Sequence, residues 1–106
     1  MPRVPSRISG PALVSNAAAT KYTVPGATTA LVRSIHVQNP SASPVDFTLS
    51  IGTDAAGTRL YDGLSIPADS QKTFWCYHAV EAAEIIQAFA GTNNILTLTL
   101  DADLIT

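Results

Sequence analysis

Val45-Asp46-Phe47-Thr48-Leu49-Ser50-Ile51-Gly52, followed closely by Thr58-Arg59-Leu60-Tyr61-Asp62-Gly63, decides the architecture. Val45, Phe47, Leu49 and Ile51 take every second position, with Asp46, Thr48 and Ser50 between them. Successive side chains of a strand point to opposite faces, so this spacing predicts one face in a core and one in water. Gly52-Thr53-Asp54-Ala55-Ala56-Gly57 joins the two halves, and its length and residue types suit an antiparallel link. Calcium-loop spacing is not kept, because oxygen ligands run out after Thr53 and Asp54. It reads as a turn.

The same period recurs on both sides of this hairpin. Upstream, Leu31, Ile35 and Val37 share one face of Thr29–Asn39, and Ser34, His36 and Gln38 the other. Arg33 falls on the apolar face, which puts it near the strand's start with its stem carrying the charge outward. Ala12–Ser15 and Lys21–Val24 are shorter strands, the second closed by the turn dipeptide Pro25-Gly26. Downstream, Leu64–Ser70 reads as an irregular crossing. Gln71–His78 sets Thr73, Trp75 and Tyr77 against Phe74, Cys76 and His78, which predicts burial on both faces or an exposed aromatic patch. Ala79–Ala83 suits one helical turn, Glu84–Ala90 a strand, and Gly91–Asn94 a hairpin link. Leu96, Leu98 and Leu100 then alternate with Thr97 and Thr99, and Leu104-Ile105 closes the chain.

About eight short strands and no amphipathic helix predict an all-β fold, an antiparallel β-sandwich of jelly-roll or Ig-like type spanning residues 12–106. Residues 1–11 hold Pro2, Pro5, Pro11 and Gly10 with Arg3 and Arg7. Prolines disfavour helix and central strand, so this segment is expected to be an extended arm outside the core. Such an arm is either a loose terminus or one that orders on a neighbouring subunit.

Hydrophobic residues make up 46% of the 106 and charged residues 13%. That charge density is low for a surface left wholly in water and suits one that a partner covers. Six Lys and Arg against eight Asp and Glu give a net charge of −2, which argues against nucleic acid as a partner. The apolar runs fall short of the roughly 20 residues of a membrane span, so no membrane association is expected. The basic N-terminus lacks a following apolar stretch of signal-peptide length, which predicts a soluble protein not exported by that route.

Chemistry is scarce. Cys76 and His78 share a strand face, with His36 available from another strand, but no second Cys/His pair completes a structural zinc set. No Gly-x-Ser-x-Gly turn or phosphate-binding glycine loop occurs. The carboxylate pairs Glu81/Glu84 and Asp101/Asp103 read as solvated surface. No enzyme, cofactor or metal is expected. Phe74, Trp75 and Tyr77 remain, as core filler, subunit-contact anchors or a stacking platform for sugars.

Tyr22-Thr23-Val24-Pro25, Ser34-Ile35-His36-Val37-Gln38-Asn39 and Ile66-Pro67-Ala68 follow one another in this order. Over about residues 20–100 this wording resembles small β-sandwich proteins encoded among the virion genes of tailed bacteriophages. The resemblance implies a non-enzymatic virion component, made in the host cytoplasm: a capsid decoration (cement) protein or a tail-associated one. Its partners would be major capsid or tail proteins and copies of itself, as a trimer. Ala12–Ser15 and Ile95–Asp101 are then candidate edges for pairing across subunits. Arg3, Arg7, Phe74, Trp75 and Tyr77 are the candidate partner contacts. The alternative is a carbohydrate-binding module for host-surface adhesion, using exposed Trp75, Tyr77 or Tyr61.

Overall fold

In the computed structural model, which describes residues 3–106, the chain forms strands and no helix. The strands are β1 (Arg3–Leu13), β2 (Ala19–Thr23), β3 (Thr29–Asn39), β4 (Val45–Ile51), β5 (Arg59–Ile66), β6 (Ser70–Val80), β7 (Ile85–Ala90) and β8 (Thr97–Ile105). They build two antiparallel four-stranded sheets, ordered β1-β8-β3-β6 and β2-β7-β4-β5. The expected β-sandwich is therefore present, and its strand order is that of a jelly roll.

Among the described residues, the β4–β5 hairpin is the only place where consecutive strands share a sheet. From it the chain runs back on itself as a folded ribbon. β4 pairs with β5, β3 with β6, β2 with β7 and β1 with β8, all antiparallel. Every other connection crosses between sheets. Gly91–Asn94 is thus not a hairpin link: it carries the chain from β7 in one sheet to β8 in the other. Nor does Ile95–Asp101 supply an edge, because β8 is flanked by β1 and β3.

Residues 3–11 lie within the sandwich and not in an arm outside it. From Arg3 onward they belong to β1, whose partners on β8 run from Ile105 back to Thr97; Met1 and Pro2 lie outside the described residues. Proline lacks the N–H of a two-sided ladder, but an edge strand needs only one side. β1 is an edge, and its ladder shifts on either side of Ser9. Gly10 sits in this irregular stretch at φ 78°, where a Cβ would run into the Leu98 carbonyl oxygen. Three smaller expectations also change. β5 continues past Gly63 to Ile66, so Leu64–Ser70 is strand, turn and strand. β6 continues to Val80, and Glu81–Glu84 is a turn closed by the Glu84 N–H on the Glu81 carbonyl. Arg33 lies in mid-strand at a bulge, on the solvent side.

The core fills the space between the sheets. Phe47 and Leu49 of β4, Ile35 and Val37 of β3, and Leu98 and Leu100 of β8 are among its buried side chains. The small residues Ala30, Ala88, Ala90 and Ala102 are buried in it as well.

The outer side of β4 is not in water as its alternation predicts. Thr48 and Ser50 are buried; Asp54 of the 52–58 loop satisfies Ser50, and Gly63 of the irregular β5 satisfies Thr48. Ser50 Oγ donates to Asp54 Oδ1 at 2.6 Å, the Gln87 Oε1 accepts from the Asp54 N–H at 2.9 Å, and the Gly63 N–H donates to Thr48 Oγ1 at 3.0 Å. Arg59 clamps the Asp54 carboxylate through Nε and Nη2 at 3.0 and 3.2 Å, with its guanidinium over the Phe89 ring.

The Arg59 hydrogen bonds, reinforced by Ser50, hold the Asp54 carboxyl below its ordinary value. A carboxyl lowered in the folded state stabilises that state above its unfolded value and loses the effect as pH falls through the folded one. Asp54→Asn is therefore expected to lower the melting temperature at pH 7. The gap to the parent should close as pH drops below roughly 4. A gap of the same size at both pH values would show that the ion pair is not its cause.

Candidate contact face

The outer face of the β1-β8-β3-β6 sheet brings together Arg3, Arg7 and Arg33 with the exposed aromatics Trp75 and Tyr77. Its geometry begins with a bulge. Ala30 and Val32 of β3 point into the core, and so do Ile35 and Val37, two pairs separated by one residue too many for strict alternation. Against β8, Val32 and Ser34 face the adjacent residues Ala102 and Asp101, which leaves Arg33 as the extra residue. Bulges re-aim side chains, and this one turns both Arg33 and Ser34 to the outer face.

There they meet the Asp pair. Arg33 Nη1 donates to Asp103 Oδ2 at 3.1 Å, and Arg3 Nε lies 4.0 Å from the same oxygen. Ser34 Oγ donates to Asp101 Oδ2 at 3.1 Å. Asp103 is 8% exposed, so it is a buried, ion-paired carboxylate and not the solvated surface its position near the chain's end implied. Register sets Arg7 opposite Asp101, Asp101 opposite Ser34, and Ser34 opposite Trp75, a row across all four strands. An open groove runs along it, bordered by Pro5, Arg7, Arg33, Ser34, Trp75 and Asp101.

β6 supplies the aromatic side of the face. Trp75 is 82% exposed and Tyr77 68%, with the Arg33 guanidinium 5.9 Å from the Tyr77 ring centre. Trp75 is thus not a core filler. Phe74, one residue away, turns inward and stacks on Tyr61 with ring centres 4.7 Å apart. Of the five residues expected to contact a partner, Arg3, Arg7, Trp75 and Tyr77 share this face and Phe74 does not. Tyr61, on β5 of the other sheet, is half-buried against Phe74, and burial pushes its phenol above the ordinary value, with Cys76 adding to the effect.

The thiol and imidazoles are kept apart. Cys76 and His78 point inward, whereas His36 lies on the outer face with its Nδ1 2.8 Å from Thr73 Oγ1. Burial pushes the Cys76 thiol up, against the opposing pull of Arg33, which keeps it a poor nucleophile. Its Sγ donates to the Val32 carbonyl at 3.5 Å. Among the described residues no group of three or more His, Cys, Asp or Glu side chains is placed to hold a metal ion.

Reading the sequence by strict alternation missed Arg33, Asp101 and Asp103 as members of this face. The signal for Arg33 was present, since the apolar pairs 30/32 and 35/37 differ in parity. The Asp-x-Asp spacing likewise places both carboxylates on one strand face. Comparison with protein-family models, with curated proteins and with solved structures finds no match for the chain.

Proposed function

We propose that this chain is a non-enzymatic structural subunit of a bacteriophage virion. In this reading it is a capsid decoration or tail-associated protein that binds major capsid or tail proteins and copies of itself. The observation that supports it best is the exposure of Trp75 and Tyr77, 82% and 68%, on a sheet face otherwise held by ion pairs and hydroxyls. An indole left in water on a chain with 13% charged residues costs solubility unless a partner covers it. The opposite sheet has less such need, because its own 52–58 loop folds onto its outer side at Ser50 and Gln87.

The location test is mass spectrometry on purified particles, with density to separate capsid from tail; absence from the particles overturns the reading. Trp75→Ala is expected to leave stability within about 0.5 kcal/mol, since the side chain is exposed. Its occupancy on particles should fall by about tenfold or more, equivalent to about 1.4 kcal/mol. Unchanged occupancy would remove Trp75 from the contact.

The groove beside Trp75 favours a second reading, host-surface glycan binding. An exposed indole beside Arg7, Ser34 and Asp101 offers a stacking platform with hydrogen-bonding groups in one row. Titrating Trp fluorescence against a broad panel of host-surface sugars distinguishes the two. No spectral shift across the panel eliminates the glycan reading.

A further inference from the structure

Each sheet of the sandwich ends in two strands with one unpaired backbone side, and natural edges carry devices that stop another chain from pairing there. Three of the four edges among the described residues carry them. β1 holds Pro5 and Pro11, has Gly10 at a positive φ, and its ladder breaks twice. β2 is 5 residues long and its ladder breaks once. β5 has Gly63 at φ 64°, breaks twice against β4, and carries the charged pair Arg59 and Asp62.

β6 differs. It runs 11 residues without proline, glycine or carboxylate, and Lys72 is its only Lys or Arg. Its ladder shifts once, between Trp75 and His78, while Ser70–Trp75 faces Asn39–Ser34 in unbroken register. Among the described residues, no turn or loop backbone bonds to the backbone of residues 71–79.

We infer that the chain self-associates through β6, the free edges of two copies pairing antiparallel about a twofold axis so that two β1-β8-β3-β6 sheets become one. This rests on the proposed role as a self-associating particle subunit, and it replaces the expected trimer by a dimer. Antiparallel pairing of two identical strands is isologous, so it closes with two copies. A twofold sets each side chain near the axis against its own copy, which turns any charge there into a repulsion. Thr73, Trp75 and Tyr77 on the outer face are uncharged, and Lys72 lies toward the strand's start. With the axis near Thr73–Trp75, Thr73 of each copy faces Trp75 of the other, and the two exposed indoles lie within diagonal cross-strand reach. An extended segment of another protein fits the same kind of edge. The near absence of charge favours the self-pair, because it removes the term that a twofold makes repulsive.

The test is sedimentation of the full chain from micromolar to millimolar concentration, for the parent, Thr73→Lys and Thr73→Glu. Thr73 is exposed and its one side-chain bond, to His36 Nδ1, is at the surface, so circular dichroism should be unchanged and melting should shift only slightly and equally in both variants. The parent should be dimeric. Each variant alone should dimerise at least about tenfold more weakly, and the two mixed should recover a heterodimer. A parent that stays monomeric throughout overturns the inference, including one that binds only an extended peptide; so does a dimer indifferent to both changes. A monomer that still occupies particles sinks the β6 pairing and leaves the particle role standing. A β6 dimer absent from particles does the reverse.

Discussion

Phe47→Ala is expected to cost about 3–5 kcal/mol of unfolding free energy, measured by chemical denaturation at neutral pH. The ring is fully buried, at 0% exposure, on a strand bonded on both sides, to β5 and to β7. Removing it takes away the transfer free energy of an aromatic side chain and leaves a cavity that two hydrogen-bonded neighbours resist closing. A domain of this size has about 5–15 kcal/mol in total, so the loss ranges from about a fifth of the stability to nearly all of it. Phe47→Leu keeps most of the volume and should lose much less. A loss below about 1 kcal/mol for alanine would mean that the sheets close over the gap, and that β4 does not hold the centre of the sandwich.

β4 is also where the sequence is most legible. Its alternation, and the glycine-bounded link after it, are local facts, and local facts survive folding. The pairing of β1 with β8 or of β2 with β7 is not local, since it joins residues at opposite ends of the chain. Nothing in Arg3–Leu13 announces that its partner is Thr97–Ile105. The prolines of β1 misled for a related reason: a missing N–H excludes a central strand, but whether a strand is central depends on the whole topology. Arg33 shows how one inserted residue defeats a period-two reading. Side-chain direction has a period of two, so a single extra residue moves everything beyond it to the other face.

The contact face was legible by residue type and not by direction. Trp75, Tyr77 and Phe74 stand within four positions, and strand parity separates the first two from the third. Which parity faces water was undecidable, because both sets are apolar. Polar residues misled in the opposite sense. Thr48 and Ser50 looked like a wet face, but both are buried and bonded, Ser50 by Asp54 of the hairpin loop and Thr48 by Gly63 of β5, through hydrogen bonds that no periodicity records. The two outer faces thus differ in kind, one closed by its own loop and one left with its aromatics in water.

Asn39→Asp is expected to destabilise the fold by about 2–4 kcal/mol at pH 7, although the two side chains are nearly the same shape. Asn39 ends β3 at 0% exposure and uses its whole hydrogen-bonding capacity. Its Nδ2 donates to the carbonyls of Ser43 and Ile66 at 2.9 and 3.0 Å. Its Oδ1 accepts from the Ser41 N–H at 3.0 Å and from Ser41 Oγ at 2.7 Å. The amide therefore fixes the Pro40–Pro44 turn and ties it to the end of β5 in the other sheet. A carboxylate keeps both acceptor contacts and loses both donors, leaving a buried charge aimed at two carbonyl oxygens. The introduced carboxyl would have its folded pKa raised above the unfolded value of about 3.9. The sign follows: the penalty is smallest below that value, where the protonated acid donates one hydrogen bond, and grows as pH rises toward the folded pKa. Comparing the variant with its parent at pH 4 and pH 7 isolates the effect from the opposite trend at Asp54, which both proteins share. A penalty that does not grow between those two pH values would show that the donors to Ser43 and Ile66 are not what holds the turn.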